Sequence, residues 1–169
     1  LVNGCLLFAL FGVVLRFHEN TLQLNHRAQW AALAAVVVWL CHPYLVSTTL
    51  YVVQRMTQLA TLFVLLGLLA WLRGRRLVAL RPGAGYIWMT GGLGIFGLLA
   101  IFSKENGVLL PCLALALEVT VIHKSRLAGQ LNKGWLCLCL VVPTLLIVLY
   151  LIYIAFSVGW FNDYNGRNF

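Results

Sequence analysis

The sequence predicts an all-α protein, a polytopic bundle of about six transmembrane helices, and three observations carry that prediction. Hydrophobic residues make up 62% of the 169 residues and charged ones only 9%, against about a quarter charged in soluble domains; mean hydropathy is +0.93. Apolar runs separated by isolated charges recur along the whole chain. The alternation of apolar and polar residues that marks membrane barrel strands does not occur. In hydrocarbon every backbone polar group needs an internal partner, so apolar runs of this length should be helices. A water-soluble globule could not hide so much apolar surface behind so few charges. Disorder is excluded too, since it needs low hydrophobicity and high charge.

Six apolar segments follow in order. The first, 1–15, begins without Met and lacks the basic region and small-residue cleavage site of a signal peptide. The chain is therefore expected to be an internal piece of a larger polytopic protein. The second, 28–41, is short and stops before His42-Pro43, where proline should end or kink a helix. The third, 45–72, contains Met56 to Leu72, 17 residues without a charge, or about 26 Å of helix at ~1.5 Å per residue. The fourth, 86–102, includes Gly92-Leu93-Gly94-Ile95-Phe96-Gly97. This formally matches a dinucleotide fingerprint, but that fingerprint needs a preceding strand, so the small residues are read as a place where two membrane helices approach closely. The fifth, 107–122, carries Pro111 and Glu118, and the sixth is 135–156. Residues 157–169 are polar and aromatic and should begin an extracytoplasmic loop.

The net charge of +8 is not a nucleic-acid signature, because the basic residues are scattered between apolar runs rather than gathered in one stripe. Nine of the twelve lie in alternate connections: Arg16 and Arg27, then Arg73, Arg75, Arg76 and Arg81, then Lys124, Arg126 and Lys133. The positive-inside bias puts these connections in the cytoplasm. His42–Gln58, Ser103–Gly107 and Val158–Phe169 then fall on the opposite face. Trp30, Trp71, Trp135 and Trp160 lie near segment ends and read as interfacial anchors. The five cysteines (Cys5, Cys41, Cys112, Cys137 and Cys139) read as buried free thiols, and no metal site is expected, since no His or carboxylate cluster accompanies them.

The polar chemistry gathers opposite the arginine-rich connections. One group runs from His42 through Tyr51 and Gln54 to Arg55, with Thr48, Tyr51 and Arg55 at i, i+3 and i+7, along one side of a helix. The second is Ser103-Lys104-Glu105-Asn106-Gly107, and the third is the aromatic and amide-rich 160–169. Arg55 and Lys104 are isolated cations, each at the mouth of a span. Such cations beside amides and hydroxyls suit a phosphate or pyrophosphate head group. The alternative is that both snorkel, or pair with Glu105. Glu118, an intramembrane carboxylate, lies about a turn from His123 and Lys124 and is expected to pair at that interface, so that Glu118→Gln is tolerated.

At these motifs the chain resembles a known family. Leu1-Val2-Asn3-Gly4, His42-Pro43 followed by Gln54-Arg55, Ser103-Lys104-Glu105-Asn106-Gly107 with Pro111, and the terminal Asn162-Asp163-Tyr164-Asn165-Gly166-Arg167-Asn168-Phe169 look like multi-spanning glycosyltransferases of the GT-C type. The nearest likeness is to protein O-mannosyltransferases with tetratricopeptide tails and to their bacterial relatives. That resemblance implies a seven-span module of which this chain supplies spans two to seven, set in a bacterial inner membrane with the motifs facing the periplasm. It implies transfer of a sugar from a polyprenyl-phosphate donor to a protein hydroxyl or glycan acceptor. Arg55 and Lys104 would face the donor phosphate, supported by His42, Tyr51, Gln54, Glu105 and Asn106. The catalytic acid, a general base, would lie in a loop upstream of Leu1. The visible residues demand no cofactor; a divalent metal is left open, since relatives differ and the upstream loop can supply a ligand. The competing reading is a transporter or lipid flippase that uses Glu118, with His42, as ionisable groups along a path.

Overall fold

The computed structural model describes residues 1–42 and 55–157, and among these it contains helices and no strands. Six helices follow one another: α1 (Val2–Glu19), α2 (His26–Leu40), α3 (Arg55–Val78), α4 (Pro82–Ser103), α5 (Glu105–Lys124) and α6 (Lys133–Ile154, continuing helically to Ser157). All but α2 are long and apolar enough to cross a membrane. The all-α bundle predicted from the sequence is what the chain forms.

The helix ends follow local chemistry. Asn20 ends α1 in the left-handed conformation (φ 53°), which asparagine tolerates, and Thr21 N–H returns to the Arg16 carbonyl. α2 stops at Leu40, three residues ahead of Pro43. Pro82 opens α4 and Pro111 sits in the first turn of the α-helical part of α5, where a missing N–H costs nothing. Three five-residue π segments interrupt the later helices: Gly92–Phe96, Glu118–Ile122 and Cys137–Val141. Such widened turns often occur at functional sites.

α3 is the centre of the bundle and packs against α1, α4 and α5, while α2 lies on α1 and α6 lies on α5. Its inward stripe, Leu68, Trp71, Leu72, Arg75 and Val78, is buried. Around it, Phe17, Met89, Leu110, Ile122 and Leu140 complete the enclosed core. The outer surface is apolar as well. On α6, Leu145, Leu146, Leu149, Tyr150, Tyr153 and Phe156 are all exposed, a continuous surface that suits lipid rather than water.

The glycine-rich part of α4 is a close crossing, as its composition suggests. A Cβ on Gly92 would sit 2.8 Å from Ala70 Cβ and 3.2 Å from the Gly67 carbonyl, whereas a Cβ on Gly94 would meet nothing within 4 Å. Gly92→Leu is therefore expected to force α3 and α4 apart and cost about 1–3 kcal/mol or more. Gly94→Leu should be nearly neutral. Unfolding of the two variants in detergent checks the contrast, and equal stability would show that the crossing is not tight.

Two expectations need correction. Trp71 is not an interfacial anchor: it is fully buried and stacks on Trp135, ring centroids 5.7 Å apart. The reason is that α3 runs on to Val78, so Trp71 lies well inside the helix. Trp30 is exposed, and Trp160 lies outside the described residues. The cysteines are free, but none of the five is buried; Cys5, Cys41 and Cys137 are exposed on the bundle's outer face. Cys112 and Cys139 are half-buried, and a thiol facing lipid needs no protein neighbour.

Candidate functional site

The packing sorts the connections into two ends. At the first end, Asn3 Nδ2 donates to the Gln58 carbonyl at 2.9 Å, which brings the start of α1 to the start of α3. A Cβ on Gly4 would meet Leu40 at 2.9 Å, so the end of α2 with Cys41 and His42 lies beside them. Lys104 Nζ donates to Thr57 Oγ1 at 2.8 Å and adds the α4–α5 junction. At the second end, Asn20 Oδ1 accepts from Ser125 Oγ (2.9 Å) and from the Arg126 N–H (2.6 Å). Arg75 reaches the Gly129 carbonyl at 2.8 Å, and the Tyr86 hydroxyl accepts from the Asn132 N–H at 3.0 Å. The nine basic residues of the alternate connections belong to this second end. Arg55 and Lys104 belong to the first.

Lys104 is held by a tight reversal. It is one extended residue (φ −164°, ψ 147°) between α4 and the 3-10 turn Glu105–Leu109. The Gly107 N–H closes the turn on the Lys104 carbonyl at 2.9 Å. A Cβ on Gly107 would collide with the Ala100 carbonyl and lie 2.6 Å from the Ile101 nitrogen, so only glycine lets the chain fold back this closely. The Ser-Lys-Glu-Asn-Gly motif is thus a structural unit that turns the ammonium group toward α3. Glu105 and Asn106 are exposed on the outer side of the same turn. Among the described residues no ion pair joins Lys104 to Glu105; the lysine takes the Thr57 hydroxyl instead.

Arg55 is exposed in the first turn of α3, two residues before Thr57. Both predicted phosphate ligands therefore stand at the same end, beside the Arg55–Thr57 stretch of α3. His42 is exposed at that end as well. Tyr51 and Gln54 lie outside the described residues, as does the Thr48–Tyr51 part of the predicted helical stripe. Thr57 and Asn3 are contributors that charge counting did not single out; Asn3 had entered only through its short motif. A hydroxyl two positions after an interfacial arginine was the available signal.

Glu118 behaves differently from expectation. Its carboxylate is buried and accepts two bonds from Arg75, Nε to Oε2 at 2.9 Å and Nη2 to Oε1 at 2.8 Å. The partner is thus Arg75 across the bundle, not His123 or Lys124 on its own helix. α3 continues through the arginine cluster, and its inward face carries Arg75 into the core while Arg73 and Arg76 point elsewhere. Among the described residues no group of three or more His, Cys, Asp or Glu gathers in a way that could hold a metal ion.

Compared with known proteins, the chain matches no family model, no curated protein and no solved structure.

Proposed function

We propose that the chain is the membrane domain of a multi-pass glycosyltransferase that takes a sugar from a polyprenyl-phosphate donor. In this reading Arg55 and Lys104 hold the donor phosphate. The observation that carries it is the convergence of Lys104 on Thr57, 47 residues away in sequence, which brings the two isolated cations Arg55 and Lys104 to the same end of the bundle. The resemblance of the Leu1–Gly4, His42-Pro43, Gln54-Arg55 and Ser103–Gly107 motifs supports the same reading. So does the separation of these motifs from the nine basic residues at the opposite end; by the positive-inside bias this end would face away from the cytoplasm, in this reading into the periplasm of a bacterial inner membrane. His42, Glu105 and Asn106 line the approach.

The chemistry required of this end is modest. When the glycosidic bond breaks, negative charge develops on the leaving lipid phosphate. Cations fixed at an interface of low dielectric stabilise that charge more than water does. The acceptor hydroxyl would give its proton to a carboxylate acting as general base, a residue that the resemblance expects upstream of Leu1. The Arg75–Glu118 pair weighs against the transporter reading, because that carboxylate is fully engaged by a guanidinium.

The test is donor turnover by the full-length protein in sealed vesicles. Polyprenyl-phosphate sugar added on the side of the Lys104 end should release polyprenyl phosphate. Single cysteines replacing Arg55 or Lys104, in a cysteine-free background, should be labelled by an impermeant maleimide from that same side. Labelling from the cytoplasmic side alone, or an inert donor, would refute the proposal.

A further inference from the structure

A separate hollow opens at the arginine-rich end, between α1, α3 and α4. Its volume is about 650 Å³, within the ~300–1,000 Å³ typical of small-ligand sites. Arg16, Arg73 and Arg76 line it, with Leu69, Trp88 and Phe96 among its apolar walls, and no carboxylate contributes to the lining. Along α3 the cations Arg73 and Arg76 follow the apolar Leu66, Leu69 and Ala70, and Leu77 and Leu80 close the lining beyond them. The arrangement matches a lipid, with chain inside and charge at the interface.

Two details point to an anion. Arg16 Nε is shielded from solvent and has no hydrogen-bond partner among the described residues, a costly state for a guanidinium N–H. The Arg73 guanidinium lies over the Trp88 ring, 5.1 Å from its centroid. Stacking fixes the plane of the guanidinium and leaves its edge donors available, the geometry in which arginine binds phosphate. None of these residues belongs to the Lys104 end.

We propose that this hollow binds the phosphodiester head group of an anionic phospholipid, with an acyl chain lying along Leu69 and Phe96. Arg16, Arg73 and Arg76 would share the phosphate, and the missing partner of Arg16 would be a phosphate oxygen. The site is independent of sugar transfer and depends only on the helices lying in a membrane.

The experiment is native mass spectrometry of the detergent-solubilised full-length protein with added phosphatidylglycerol or phosphatidylcholine. Phosphatidylglycerol should be retained preferentially. Retention should fall about 30-fold in the Arg73→Gln/Arg76→Gln double variant, by the usual contribution of two interfacial arginines. Arg27→Gln/Lys133→Gln removes the same charge from the same end but outside the hollow, and should leave retention unchanged. Equal losses in the two double variants would reduce the effect to general electrostatics and overturn the proposal. Equal retention of phosphatidylcholine, or displacement of phosphatidylglycerol by inorganic phosphate at equal concentration, would overturn it as well. Circular dichroism of each variant confirms that the bundle has folded.

Discussion

Replacing Arg75 with alanine is expected to destabilise the bundle by about 3–5 kcal/mol, because it leaves the Glu118 carboxylate buried without its countercharge. Both side chains are at most 6% exposed. The geometry is bidentate, and the third Arg75 donor fixes the Gly129 carbonyl of the α5–α6 connection. Gly129 itself packs against the end of α3, where a Cβ would lie 2.6 Å from the Ala79 nitrogen. One guanidinium thus ties α3 to α5 and to the loop beyond it. Glu118→Gln should be damaging for the mirror-image reason, which reverses the tolerance expected from its distance to His123. Arg75→Lys should also fail, since an ammonium cannot make two parallel bonds to a carboxylate and reach the carbonyl as well. Arg75→Met combined with Glu118→Leu should recover much of the loss, because an apolar pair of similar volume removes both desolvation costs. Unfolding in mixed micelles, run as a double-mutant cycle, checks this. A wild-type midpoint for Glu118→Gln would sink the argument.

That pair also shows where reading the sequence succeeded and where it stopped. Apolar length located α1, α4, α5 and α6, and the alternation of basic connections separated the two ends that the packing then produced. These are statistical properties of long segments, and they survive without knowledge of any contact. The fate of Arg75 depends on a contact. Counted with Arg73 and Arg76 it looks like one more loop charge. Yet Leu68, Leu72 and Arg75 are spaced i, i+4 and i+7, so a helix that does not stop at the first charge carries Arg75 inward with the leucines. Trp71 was misplaced by the same early stop. A membrane helix need not end where charges begin, since long side chains reach the interface from within it. A lone carboxylate in an apolar run should have prompted a search for its partner on another helix. The Thr57–Lys104 contact was less legible still, because nothing local in either segment selects the other.

If Lys104 holds the donor phosphate as proposed, Lys104→Ala in the full-length protein is expected to lower sugar transfer by about 10²–10³-fold, the usual effect of deleting one preorganised donor to a developing negative charge. The fold should survive the change. Lys104 is only partly buried, and its side-chain bond is to a hydroxyl, so truncation strands no buried charge. The reversal around it is made by Gly107 and the Lys104 backbone carbonyl, neither of which alanine removes. The loss should appear in kcat more than in KM if the ammonium acts on the leaving phosphate, because charge accumulates there only as the bond breaks. Lys104→Arg should restore part of the rate by returning the charge. Thr57→Val offers a finer test. It keeps the cation but removes its anchor, so the ammonium is still present yet no longer held in place. Its effect should be smaller than that of Lys104→Ala and should vanish in the double variant, since an anchor without a cation has nothing to position. A purely structural lysine predicts the opposite pattern, with unfolding midpoint and activity falling together. Normal donor turnover in a folded Lys104→Ala protein would remove Lys104 from the site and leave Arg55 as the remaining candidate.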